Sequence, residues 1–493
     1  MSVTQQRYRQ TSLALLAALL LSTTPHASSD NNALQLPDMG ESIDSFMSLQ
    51  QEQEMGKAFM RSVRRSLPII DDPQLARYIQ SLGQRLSTHG NQAPQDFHFF
   101  IVDDTNINAF AGPGGYIGIH SGLILATQNE DELAAVIAHE LAHVTQRHLA
   151  RAYQSANNMT LPLTAAIIAA IVLGGQAELG QLSEATLASA VAGSAQQQIN
   201  FTRSNEQEAD RIGMQTLVRA GYTSNAMQRF FKRLLQASQY QEDSALEFLR
   251  THPLTTNRIA GSNDPLATPS PDHSGGQKKI PGISDFELIQ ARIRVLTSTE
   301  TNLLAPFFTS QTSPTSVRQY GLALTAIRQR QYTQARNILK KLIKQAPDKI
   351  TYTLANIENE TRNGSVSQAL AIIEKTLPLY PDDHPLTLLY ARALLKDQQY
   401  NKARSLLRQH LHTIKPTPVL YALLAEAEGK SGDRTATHQA MAELHFLNGD
   451  NSAALKQIQL ALQQGEDLNH NEKLRLQSRL KEIQQIIAAE ARH

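Results

Sequence analysis

Two histidines four positions apart, His139 and His143, with Glu140 directly after the first, are the residues of this 493-residue chain best suited to chemistry. On an α-helix, positions i and i+4 share a face, so both imidazoles can present a nitrogen to one metal ion. Glu140 is rotated by about 100° from His139. That puts it beside the metal rather than on it, where a general base must stand to deprotonate an attacking water. The chemistry implied is hydrolysis assisted by one zinc ion. The helix that must carry the motif is also legible. Asn129-Glu130-Asp131-Glu132 places acids at its start, and Leu133 to Val144 is apolar apart from the motif, with no Gly or Pro. An unpartnered charged Glu140 in such surroundings would cost several kcal/mol, so a metal site gives it a reason to be there.

A catalytic zinc takes three protein ligands and keeps a fourth position open. Glu206 and Asp210 are again i and i+4, on a helix that the stretch Phe201 to Gly213 is expected to open. One of the two suits the metal, and the other suits the orienting of a ligand histidine. Glu208 faces elsewhere by helical spacing. His148, five residues after His143, is expected off the metal face in a structural role.

Other elements must position these residues. Periodicity from Phe46 to Leu67 predicts one helix, and Asp72-Pro73 starts a second. Phe97 to Asp103 is β-rich, and Asn106 to Ile124 reads as a strand or hairpin around Gly112-Pro113-Gly114-Gly115. Leu161 to Gly175 is apolar but too short for a comfortable span. It fits a buried or lid-like helix better than membrane contact, and Gln176 to Gln198 would return the chain as a helical hairpin over the cleft.

At the start, Arg7 and Arg9, the apolar run Ser12 to Leu21 and the small residues Ala27 to Ser29 read as a cleavable secretory signal, residues 1–27. A zinc-hydrolase domain, which the resemblance given below makes a metallopeptidase domain, is expected over 28–262, and a Pro- and Gly-rich linker or exposed loop over 263–284. From 285 to 493 the chain repeats itself. Ala335, Ala369 and Ala403 recur every 34 residues, inside the phrases Tyr332-Thr333-Gln334-Ala335, Val366-Ser367-Gln368-Ala369 and Tyr400-Asn401-Lys402-Ala403. This is the tetratricopeptide period, and stacked helix pairs of that kind make a surface for peptides or partner proteins. With no cysteine, disulfides and a lipoprotein anchor are excluded; 46 basic against 45 acidic residues give no basis for a nucleic-acid partner. The predicted fold class is therefore mostly α: an α+β zincin-like domain with a small sheet, then an α-solenoid.

His139-Glu140-Leu141-Ala142-His143 followed by Glu206-Gln207-Glu208-Ala209-Asp210 resembles the gluzincin metallopeptidases of the CAAX prenyl protease type. The resemblance implies Glu206 as third zinc ligand and Asp210 as its supporting residue. Asn108 to Ile119 is similar to the family's strand before the metal helix, either an edge for an extended peptide or a structural hairpin. Thr251-His252-Pro253-Leu254 with Arg258 also matches a family phrase, and His252 would stabilise the oxyanion or occupy the open zinc position at rest. With the leader and the repeats, the resemblance extends to periplasmic quality-control metallopeptidases of Gram-negative bacteria. It implies misfolded or assembling outer-membrane proteins as clients, the β-barrel assembly machinery as partner of the repeats, and at most peripheral membrane contact. The competing reading is a non-proteolytic, repeat-based binding chaperone with a largely structural zinc.

Overall fold

The computed structural model describes residues 47–90, 96–156, 187–239, 248–249, 251–253, 258, 285–310, 312–465 and 468–490. The expected leader, the apolar stretch Leu161–Gly175 and the 263–284 linker lie outside the described residues. Two amphipathic helices come first, α1 (Leu49–Ser66) and α2 (Pro73–Ser87). Ser48 caps α1 with a full capping box, and Asp72 caps α2, accepting from the Gln74 and Leu75 amides, with Pro73 at its first position.

A three-stranded sheet follows, β1 (His98–Val102), β2 (Ala109–Ala111) and β3 (Tyr116–His120), in the order β1-β3-β2. β1 runs parallel to β3, with His98 opposite Tyr116 and Val102 opposite His120; β2 is antiparallel to β3, with Phe110 opposite Gly118. Ile69 bridges onto Val102 and covers the β1 edge, which leaves β2 as the opposite edge strand among the described residues. The expected hairpin around Gly114 and Gly115 is present, both at positive φ. It ends earlier than expected, because Ser121–Ala126 is a short helix, α3. A short apolar run such as Leu123-Ile124-Leu125 fits strand or helix equally by periodicity. Here the close approach of Gly122 to the Thr105 and Asn106 carbonyls turns the chain.

The metal-motif helix α4 (Glu130–Thr145), α5 (His148–Ala156), the 33-residue α6 (Leu187–Arg219) and α7 (Ala226–Gln239) complete this half. The helix expected to open at Phe201 thus begins at Leu187, since the Ala-, Gln- and Ser-rich stretch before Phe201 contains no proline to stop it. α4 is buried almost all round, at the centre of a core shared with α2, β1, β3, α3 and α7.

The second half is helical: α8 (Asp285–Thr297), α9 (Thr301–Ser310), α10 (Thr315–Arg328), α11 (Tyr332–Gln345), α12 (Ile350–Arg362), α13 (Val366–Thr376), α14 (His384–Lys396), α15 (Tyr400–His410), α16 (Pro418–Lys430), α17 (Arg434–Leu447), α18 (Asn451–Gln464) and α19 (His470–Glu490). The repeated alanines Ala335, Ala369 and Ala403 are each fully buried, where only a small side chain lets neighbouring helices close. A second 34-residue series marks the turns: Arg330, Gly364, Gln398 and Gly432 all have positive φ.

α8 belongs to both cores. Phe286, Ile289 and Ile293 pack into the core of the first half, whereas Leu288, Ala291 and Val295 on its other side pack into the repeat core. Arg292, between these faces, forks onto Asp72 at 2.6–3.0 Å and reaches Glu358 of α12 at 3.2 Å. Arg77 of α2 pairs with Asp383 ahead of α14, and Arg61 of α1 lies 4.8 Å over the Phe446 ring of α17. The repeats therefore embrace the first half through α1 and α2. No described helix is long and apolar enough to cross a membrane.

Candidate metal centre

The start of α4 is fixed from three sides. Asn129 caps it, accepting from the Glu132 amide. Glu130 accepts hydrogen bonds from the Tyr78 and Tyr222 hydroxyls, both at 2.9 Å, and Asp131 from Thr223 at 2.7 Å. Fully buried Glu132 accepts from Arg233 at 2.8 Å. Acids at a helix N-terminus are favoured by its dipole, and their partners on α2, on α7 and in the turn before α7 set the rotation of the helix and so the direction of its histidines.

α6 crosses α4 closely at Gly213, where a Cβ would come within 3.1 Å of the Ala138 carbonyl and the His139 Cα. That approach brings Glu206 to the two imidazoles. His143 Nε2 lies 3.1 Å from His139 Nε2, and the Glu206 carboxylate oxygens lie 3.4 Å from each of those nitrogens. His252 adds Nδ1, 3.3 Å from His139 Nε2 and 3.1 Å from both Glu206 oxygens. Ligand atoms held about 2.0–2.2 Å from a tetrahedral ion stand about 3.3–3.6 Å from one another. The donor spacing fits a single such ion, and the four side chains present their donor atoms within 4.8 Å of one another.

Charge gives the same answer. Among the described residues, the carboxylates of Glu140, Glu206 and Asp210 face one guanidinium, that of Arg258, which is 4% exposed. Arg258 forks onto Asp210 at 2.6 and 2.9 Å, reaches Glu206 at 2.9 Å and donates to the Pro253 carbonyl. The excess negative charge in a buried place calls for a divalent cation. Glu140 is 1% exposed, its Oε1 accepts no hydrogen bond among the described residues, and His252 Nε2 lies 3.4 Å away.

His139 Nδ1 lies 3.0 Å from Asp210. Burial presses the His139 pKa down, but Asp210 and Glu206 outweigh it and raise it to about 10. Burial would raise Asp210; hydrogen bonds from Arg258 and His139 outweigh that and hold it at about 2. Burial likewise opposes ionisation of Glu206, yet His252, His139 and His143 hold its carboxyl well below the usual range. Asp210 at Nδ1 and Glu206 at Nε2 thus both favour positive charge on or beside the His139 ring.

All six residues singled out from sequence, His139, Glu140, His143, Glu206, Asp210 and His252, converge here. Arg258 was marked only as part of a phrase, and its role as the fork holding Asp210 has no signature in the spacing. His148 is not where a continuous helix would put it. α4 ends at Thr145, Arg147 adopts φ 52°, and the turn there brings His148 Nδ1 to 2.9 Å from His143 Nδ1. Glu208 does face away from the metal donors, but towards His148, at 3.0 Å.

The pattern of peptidase family M48 matches residues 73–264, and a tetratricopeptide repeat pattern matches 361–427. A beta-barrel assembly-enhancing protease of Escherichia coli K12 is 34% identical over 478 residues, 96% of this chain and 96% of that protein. The chain belongs to this family of M48 proteases. The beta-barrel assembly-enhancing protease of Yersinia pestis is 34% identical over 454 residues, covering 90% of this chain and 91% of that protein. The mitochondrial metalloendopeptidase OMA1 of Schizosaccharomyces pombe is 29% identical over 182 residues, 37% of this chain and 50% of that protein. As a member of the family, this chain is a metalloprotease that carries its peptidase and its repeats in one polypeptide.

Proposed function

We propose that the chain is a zinc endopeptidase and assembly factor of the Gram-negative periplasm that promotes outer-membrane β-barrel assembly and degrades misfolded or stalled clients. One zinc ion is held by His139, His143 and Glu206. The observation that carries the reading is the tetrahedral spacing of these donors around a buried excess of negative charge, with Glu140 beside them. The clients, the β-barrel assembly machinery as partner of the repeats and the compartment rest on the similarity over nearly the whole chain to proteins named for β-barrel assembly.

Zinc bound here supplies Lewis acidity, polarising the scissile carbonyl and increasing the acidity of water. Glu140 takes the proton of the attacking water and returns it to the leaving amine. Asp210, held by Arg258, orients His139. His252 stands between Glu140 and the ligand atoms, 3.4 Å from the first and 3.1 Å from Glu206, in the space the water needs. It keeps the protease latent until displaced, after which its imidazole is free to steady the oxyanion. The β2 edge beside α4 offers backbone groups to an extended client segment.

Glu140→Gln tests the reading. Incubated with an unfolded outer-membrane β-barrel protein, the variant retains stoichiometric zinc by elemental analysis and loses cleavage by about 100- to 10,000-fold. Cleavage at the wild-type rate by the zinc-loaded variant, or absence of zinc from the wild type, refutes it. His252 in the fourth corner favours one second reading, a binding chaperone whose site seldom cuts. In that case Glu140→Gln assists assembly as well as wild type, whereas removal of the repeats abolishes assistance.

A further inference from the structure

We propose that His148, Glu208 and Arg151 form a positioning relay that fixes the His143 imidazole with its Nε2 lone pair turned to the metal. The inference rests on His143 being a ligand and adds the residues that make it one. His148 Nδ1 lies 2.9 Å from His143 Nδ1, and its other nitrogen, Nε2, lies 3.0 Å from Glu208 Oε2. Arg151 donates to the same Glu208 oxygen at 3.0 Å and to the Gln146 carbonyl, at the end of α4, at 2.6 and 2.9 Å.

The order of donors along this chain is set from its far end. An ionised carboxylate only accepts, so the proton of neutral His148 sits on Nε2 and is donated to Glu208. His148 Nδ1 is then an acceptor. Among the described residues its donor is His143 Nδ1, and a neutral His143 that carries its hydrogen there has a bare Nε2. That nitrogen lies 3.4 Å from Glu206 and 3.1 Å from His139 Nε2. Glu208 thus selects a tautomer two rings away. The two rings stand 4.8 Å apart at 80°, a geometry that suits an in-plane hydrogen bond rather than stacking.

Arg147 makes the contact possible. On an uninterrupted helix, a residue five positions on is rotated about 140° away from His143. The left-handed Arg147, whose guanidinium donates to the Met47 carbonyl at 2.6 Å and pairs with Glu52 at 3.2 Å, interrupts the helix and brings His148 to the His143 ring instead. The two ligand histidines are therefore oriented differently. His139 faces a carboxylate directly, and His143 reaches one through an intervening imidazole.

The test measures zinc affinity by chelator competition, the visible spectrum of the cobalt(II)-loaded protein, and the thermal midpoint of the metal-free protein. His148→Phe keeps the ring volume and removes the acceptor; it lowers affinity about 10- to 100-fold and shifts the cobalt spectrum while leaving the metal-free midpoint in place. His148→Asn sets its amide oxygen where Nδ1 stood and restores most of the affinity. Glu208→Gln, which lets His148 adopt either tautomer, gives a smaller loss. Wild-type affinity in His148→Phe, or equal losses in the Phe and Asn variants, overturns the relay. If the Phe variant fails to fold, wild-type affinity in Glu208→Gln overturns it. His143→Ala separates the two ideas: if it binds zinc as wild type does, the ligand assignment has failed, whatever the relay variants show.

Discussion

In the repeat array, Glu360 and Glu428, each 1% exposed, have arginine partners from the preceding helix: Arg336 and Arg408 each donate to one of them at 2.6 Å. At the metal centre, Glu140, Glu206 and Asp210 converge and share Arg258. Each buried acid of the array has its own cation, so its charge is spent on holding helices together. The peptidase half collects acids beyond its cations at one point. The lesson is that paired buried charge marks architecture, while buried charge left over at one place marks where an external cation belongs.

The most severe way to break this contrast is Glu206→Gln, which removes a donor and one excess charge together. Metal affinity falls roughly 100-fold or more, given about 10–16 kcal/mol shared among a few donors in protein zinc sites, and cleavage disappears while the far-ultraviolet spectrum stays native. Tight stoichiometric zinc in that variant would show that the excess charge is not the metal's. Next in size is Arg292→Leu, at the junction of the two halves. It leaves Asp72 and Glu358 facing each other without their buried cation and destabilises the chain by about 3–5 kcal/mol, read as a lower urea midpoint. Unchanged stability would mean that the junction does not depend on its ion pairs.

The smallest effect is pH dependence. Burial, the largest influence on each, lowers the pKa of His98 and His384 to about 4. His98 stacks on Tyr116, and His384 sits beside the Arg77–Asp383 contact. Their folded-state pKa values lie below the unfolded value near 6.5, so the stability they contribute is complete above about pH 6.5 and is lost as the pH falls towards 4. Between pH 7.5 and 5 the loss is on the order of 1 kcal/mol each after solvent screening. A thermal midpoint equal or higher at pH 5 contradicts this.

Much of the site was legible because helical spacing is rigid. His139 with His143, and Glu206 with Asp210, are i, i+4 pairs, and such pairs stay on one face wherever the helix goes. What escaped is what depends on where helices end and cross. His148 lies off the metal donors, as its spacing implies, but its contact with the His143 ring is not legible, because nothing in Gln146-Arg147-His148 announces a left-handed residue. Helical spacing turns Glu208 from the metal, but its partner is hidden by the same turn. The repeats showed their alanines at once. Their second series, the left-handed turns, stayed hidden because Arg330 and Gln398 stand where glycine stands in Gly364 and Gly432. The start of α6 at Leu187 is not legible, because the small polar residues ahead of Phe201 show no periodicity.

α8 shows what joins the two halves. Ile289 and Ile293 are embedded in the peptidase while Leu288, Ala291 and Val295 of the same helix stay with the repeats. A cut in the backbone between residues 259 and 284 would therefore sever the polypeptide without releasing either fragment. The two pieces would stay together as a non-covalent heterodimer, with α8 as the tenon of one seated in the mortise of the other.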